Sequence, residues 1–133
     1  MLNNPNWKPP AEVKVGVEEW RKILKGAADL IEKEGWTRYQ LGWGPETGYC
    51  AVGAIQKATF GEVITSDYNN VGKKAEQHSK YWDYRLACRK LEASINKRRR
   101  WKKQIFDWND DIKDHNGRAG KFVVTKLRKV AES

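Results

Sequence analysis

Apolar side chains recur three and four positions apart over residues 16–34: Val17, Trp20, Leu24, Ala27 and Ile31, widened by Ile23 and Leu30. One side of a helix repeats at that interval, so the spacing predicts an amphipathic helix over about 16–34. Glu18 and Glu19 suit the positive end of its dipole, and Gly35 supplies a left-handed stop. Residues 35–48 hold four glycines and a proline, which forbid regular helix, and three aromatics, Trp36, Tyr39 and Trp43. A second helix is expected from Thr47, a candidate N-cap, to about Phe60. Its small residues Ala51, Gly53, Ala54 and Ala58 would admit a close neighbour. Residues 61–72 read as loop. A third helix is predicted over 73–96, with Trp82, Leu86, Leu91 and Ile95 on its apolar face and Ala87 and Cys88 nearby; it either runs on into Lys97–Lys103 or breaks there. Trp108-Asn109-Asp110-Asp111 and Asn116-Gly117 within 104–119 are loop or cap signals. A last helix is predicted over about 119–131, with Phe122, Val123, Leu127 and Val130 inward. No alternating strand pattern of any length occurs. Residues 1–11, with three of the four prolines, read as an N-terminal arm, and 12–133 as a single helical domain. The fold class expected is all-α: a small bundle of about four helices with a Gly/Trp-rich loop.

Composition narrows the function classes. A length of 133 residues suits one domain, large enough to fold without a metal or disulfide. Seven Trp, five Tyr and three Phe are too many for a disordered chain. No apolar run approaches the ~20 residues of a membrane-spanning helix, so no membrane partner is expected. Two cysteines and two histidines give neither a disulfide framework nor a zinc spacing. Reduced thiols point to a cytoplasmic protein.

Charge changes the picture more. The formal net charge is +9, yet residues 1–72 carry 8 Lys/Arg against 9 Asp/Glu, while residues 73–133 carry 18 against 8. The whole excess sits in the later part, where it would attract polyanions. It peaks in Lys97-Arg98-Arg99-Arg100-Trp101-Lys102-Lys103, six cations around one Trp. Arginine pairs with phosphate through two parallel bonds, lysine adds point charge, and Trp101 offers a face on which a base can stack. Arg85, Arg89 and Lys90 extend the strip if 81–100 is one helix, and Trp43 offers a second stacking face. The plainer alternative is a solvated helix end with Trp101 packed in the core.

Three further features carry weaker chemistry. The loop from Gly42 to Cys50 opens a helix, where free N–H groups suit an anion. It lacks the Lys-Ser/Thr of a phosphate loop, which favours a tight connector. Cys50, in the first helical turn, is a conceivable nucleophile with His115 or His78 as base and Asn109, Asp110 or Asp114 behind it. Its small neighbours favour an inert buried thiol instead. Asp107, Asp110, Asp111 and Asp114 could offer carboxylates to a metal, but the calcium-loop pattern is not met. No metal and no cofactor are expected.

Three strings occur together: I-E-K-E-G-W-T at 31–37, G-Y-C-A-V-G-A-I at 48–55, and W-N-D at 108–110 followed by V-x-x-L at 124–127. In this the chain resembles an uncharacterised family of short bacterial, mainly actinobacterial, and phage proteins, a domain of unknown function. The resemblance implies a helix ending in Gly-Trp, a loop into a Cys-Ala-x-Gly-Ala helix, and a Trp-Asn-Asp turn before a final helix. It implies no activity, and it suggests a phage or mobile-element origin. The stretch 60–104 is longer and more basic than that family leads one to expect.

The function expected is that of a small, basic, non-enzymatic accessory protein. It would bind nucleic acid or a phosphate-rich nucleotide ligand, in a phage setting as part of counter-defence. The alternatives are an inhibitor or adaptor docking on an acidic host protein surface, and a Cys50-dependent hydrolase.

Overall fold

Helix α1, Glu19–Glu34, forms where the apolar stripe falls. Trp20, Ile23, Leu24, Ala27, Ala28 and Ile31 are buried along one side, at the helical interval. The Gly35 N–H donates to the Ile31 carbonyl at 2.8 Å with φ at +105°, so the glycine ends the helix as its position implies. This computed structural model describes residues 19–44, 46–64, 79–113 and 115–133, with backbone alone at Trp43 and His115. The proposed arm at 1–11, the start of the first helix at 16–18, and His78 lie outside the described residues. So do most of the 61–72 loop and of the segment 73–80.

Residues 35–49 make two short antiparallel strands that alternation did not announce: β1, Gly42–Gly44, and β2, Gly48–Tyr49. Glycines, not a period of two, make this ladder. A Cβ on Gly42 would lie 1.9 Å from the Gly48 carbonyl oxygen, inside the pairing itself. Tyr49 also reaches back, its N–H donating to the Gly35 carbonyl at 2.9 Å while its own carbonyl accepts from Thr37 N–H at 3.1 Å. The loop is thereby folded onto the end of α1.

Helix α2, Ala51–Phe60, starts three residues later than expected. The cap is Cys50 and not Thr47: the Cys50 Sγ accepts from Gly53 N–H at 3.3 Å, while the Thr47 hydroxyl donates to the Gly48 carbonyl. Pairing of Gly48 and Tyr49 in the ladder holds the chain extended past Thr47, so the first helical turn opens only after it.

Helix α3, Tyr81–Ile95, buries Tyr81, Tyr84, Ala87, Cys88, Leu91 and Ile95. Trp82 and Leu86 sit half-buried at the edge of this face, so the expected stripe is turned about the helix axis. The two tyrosines cause the turn: Tyr84 is wholly buried because its hydroxyl accepts a hydrogen bond from the Gln56 side-chain amide. The helix ends at Ile95, so it does not run on through the basic segment.

A fifth helix, α4, Ile105–Asp111, lies where loop and cap signals were read. Its buried residues Ile105, Trp108 and Asn109 keep helical spacing, but seven residues show too little of a period to read. A single 3₁₀ turn, His115–Gly117, then leads into α5, Ala119–Ala131. The fold is therefore mostly helical with five α-helices among the described residues, not about four. On α5, Val123, Val124, Leu127 and Val130 are buried and Phe122 is 54% exposed, so Phe122 does not share the inward face. Helix α1 lies at the centre, packed chiefly on α5 and α2, with α3 closing the core.

Candidate polyanion interface

The basic segment is a turn built on one side chain. Asn96 follows α3 and is nearly buried. Its amide nitrogen donates to the Glu92 carbonyl at 3.0 Å and to the Lys103 carbonyl at 2.8 Å. Its amide oxygen accepts from Lys103 N–H at 2.7 Å. The side chain thus closes residues 96–103 as a loop and aims their cations outward. Arg99 Nε and Lys102 Nζ add bonds to the Ile95 and Asn96 carbonyls, the negative end of α3, where cations are favoured. Lys97 to Lys102 are exposed, and no described carboxylate pairs with them. Trp101 is 79% exposed beside the Arg100 guanidinium, so it is not a core residue.

Two grooves meet at Arg99. One, of about 590 Å³, lies between this turn and α5; its cations are Lys97, Arg98, Arg99, Lys126 and Lys129, and among the described residues no Asp or Glu side chain lines it. Desolvation draws the Lys126 ammonium below its ordinary pKa, and the neighbouring Lys129 and Lys97 lower it further. Like charges are crowded there. The other groove, of about 500 Å³, runs between the turn, α4 and the start of α5. Its cations are Arg99, Lys103, Lys113 and Arg118, its apolar wall includes Trp108, Ile112 and Phe122, and Asp111 sits on its edge in an ion pair with Lys103.

Not every predicted residue joins this surface. Arg85 and Arg89 line neither groove. Arg85 stands about 15 Å up α3 from Ile95 at 1.5 Å per residue, donating to the Tyr81 hydroxyl at 3.2 Å. The side chain of Trp43 lies outside the described atoms. Conversely, Lys113, Arg118, Lys126 and Lys129 belong to the surface and were not read as binding residues in the sequence, and Phe122, expected inward, belongs to it as well. Lys126 and Lys129 stand one helical turn apart on one side of α5, a spacing that could have drawn attention to them. Their neighbour Arg128 faces away, bonding Asp29 and Glu32 of α1 at 2.8–3.1 Å, and its charge is neutralised there.

The other sequence features resolve into structure. Asn109, fully buried, collects the three strings quoted above. Its side-chain oxygen accepts from the Trp36 indole N–H at 2.8 Å and from Ala51 N–H at 3.0 Å. Its nitrogen donates to the Thr37 carbonyl and to Asp110 Oδ1, each at 3.1 Å. Asp110 in turn accepts from Tyr39 N–H at 2.9 Å, which holds the exposed Tyr39 at a φ of +66°. Asn109 does cap a helix, but that helix is α2, remote in sequence. The first-turn N–H groups of Ala51 and Gly53 are therefore engaged internally, and the glycine loop offers no anion cradle there. Burial pushes the Cys50 thiol up to about 12, against the lowering effect of the Gly53 and Val52 N–H groups. A thiol so placed caps and packs, and its burial disfavours the thiolate. The side chain of His115 lies outside the described atoms. Among the described residues no group of three or more His, Cys, Asp or Glu could hold a metal ion, and no helix is long and apolar enough to cross a membrane.

Compared with known families, residues 17–133 match the model of a family of unknown function, DUF6197. The chain belongs to DUF6197. The match spans α1 through α5, so the Asn109 clasp and both grooves lie within the DUF6197 region. Neither the curated proteins nor the solved structures contain a match to this DUF6197 chain.

Proposed function

We propose that this DUF6197 protein binds nucleic acid or another phosphate-rich ligand along the strip formed by the basic turn and α5. One observation carries the reading. Five cations from two segments far apart in sequence line a single groove that no Asp or Glu side chain among the described residues lines. Crowding of that kind is unfavourable for the isolated fold, and a polyanion relieves it while releasing its own counterions. Arginines in the set favour phosphate over a generic anion, because the guanidinium fork matches two phosphate oxygens.

The test is titration of a fluorescein-labelled oligonucleotide by anisotropy, over a range of salt. Binding should weaken steeply as salt rises. The Arg98→Ala/Arg99→Ala/Arg100→Ala variant should bind more weakly and show a salt slope shallower by roughly two to three. These side chains are exposed, so circular dichroism should be unchanged. Equal affinity and equal slope in the variant reject the strip.

A second reading, docking on an acidic protein surface, has one observation in its favour. Trp101 is 79% exposed next to Arg100, and these are the residue types that anchor protein interfaces. Silent oligonucleotide titrations together with co-purification of one acidic protein would select it.

A further inference from the structure

The two grooves that share Arg99 differ in chemistry, and the difference bears on the form of the ligand. The groove against α5 is cationic, lined also by Ile95 and Val130 and, among the described residues, by no aromatic ring. The groove against α4 is an aromatic seat with a cationic rim. Phe122 is its exposed ring. The Phe122 centroid lies 6.2 Å from that of Trp108, with the planes tilted by 41°. Trp108 is 6% exposed and Phe122 is 54% exposed, so one side of the phenyl ring is backed by a fixed indole and much of the rest meets solvent. Ile112, Ala119, Lys113 and Arg118 complete a slot within the volume range of sites that hold small organic ligands.

Resting on the polyanion reading, we propose that this slot seats an unpaired base of single-stranded nucleic acid, while the adjoining cationic groove holds the phosphates of the same strand. A base in a duplex has both faces covered by its stacked neighbours and cannot reach Phe122. An unpaired base can rotate out onto an aromatic side chain. A lone nucleotide would fill one groove and leave the other charged and empty. A strand supplies base and backbone to both, with Arg99 at the junction. A duplex would engage the cations but leave the exposed phenyl ring without a role.

The experiment compares three proteins, wild type, Phe122→Ala and Phe122→Trp, against a single-stranded oligonucleotide of about 12 mixed-sequence residues and the corresponding duplex. Anisotropy gives the affinities at one fixed salt concentration, and thermal melts check that each protein is folded. The expected result is that wild type prefers the single strand. Phe122→Ala should lose roughly fivefold or more on the single strand and little on the duplex, and Phe122→Trp should retain the affinity. If Phe122→Ala binds the single strand as wild type does, or loses equally on both ligands, the base seat is overturned. In that case the polyanion reading stands as long as the triple arginine variant is still weakened. If wild type binds neither ligand, both proposals fall together.

Discussion

Asn109 shows how much of this fold depends on single polar atoms. Its amide reaches an indole, the first turn of one helix, a loop carbonyl and a neighbouring carboxylate. No alanine or aliphatic residue can replace that set. Asn109→Ala leaves the buried Ala51 N–H and the part-buried Trp36 indole N–H without their acceptor. Each such orphan costs about 1–3 kcal/mol. The variant should therefore lose roughly 3 kcal/mol or more of stability. The check is urea unfolding, in which the midpoint should fall while the slope is kept. A loss below about 0.5 kcal/mol, the usual scale for surface substitutions, would mean that the clasp does not hold the loop against α2. None of this is visible in the string Trp-Asn-Asp alone. Asparagine is usual in turns and caps, and which helix it caps is decided by chain segments far away.

At the scale of elements, legibility follows length and period. Helix α1 is spelled out because its stripe repeats over four turns and ends on a glycine. Helix α4 is too short to repeat, and α3 is turned because its buried face uses tyrosines, which read as surface residues until a buried hydroxyl is seen to have a partner. The join between the glycine loop and α2 depends on close approach, which composition hints at but cannot locate. Gly53 locates it. A Cβ there would fall 2.0 Å from the Leu41 carbonyl oxygen, the same oxygen that accepts from Cys50 N–H at 3.1 Å. Helix propensity alone would make Gly53→Ala stabilising by about 1 kcal/mol. Packing should win, because the backbone of the loop must move, and the variant should be destabilised by about 3 kcal/mol. Gly61 is the control, for a Cβ there meets open space but φ is +80°. Gly61→Ala should cost only about 1–2 kcal/mol, the expense of a left-handed alanine. Equal thermal shifts in the two variants would show that strain, and not contact, sets both.

For the molecule as a whole, the sequence displays where cations are dense and the fold decides which of them are available. The run 97–103 is legible because its residues are contiguous. The contribution of α5 is not, since Lys126, Arg128 and Lys129 look alike in the sequence. In the fold, Arg128 is held by Asp29 and Glu32, which raises its pKa, whereas Lys126 and Lys129 line the cationic groove. Replacing any one of the three by alanine lowers the net charge by the same amount. If binding responds only to net charge, the three variants should weaken oligonucleotide affinity alike. If it responds to the groove, Lys126→Ala and Lys129→Ala should each reduce the salt slope by about 0.7–0.9, the value for one phosphate contact. Arg128→Ala should leave the slope unchanged, and it exposes two carboxylates on the face away from the groove. The measurement is log affinity against log salt concentration for the three variants and wild type on one oligonucleotide. A slope for Arg128→Ala that falls with the other two would locate the attraction in the overall field of the protein and remove the α5 groove from the binding surface.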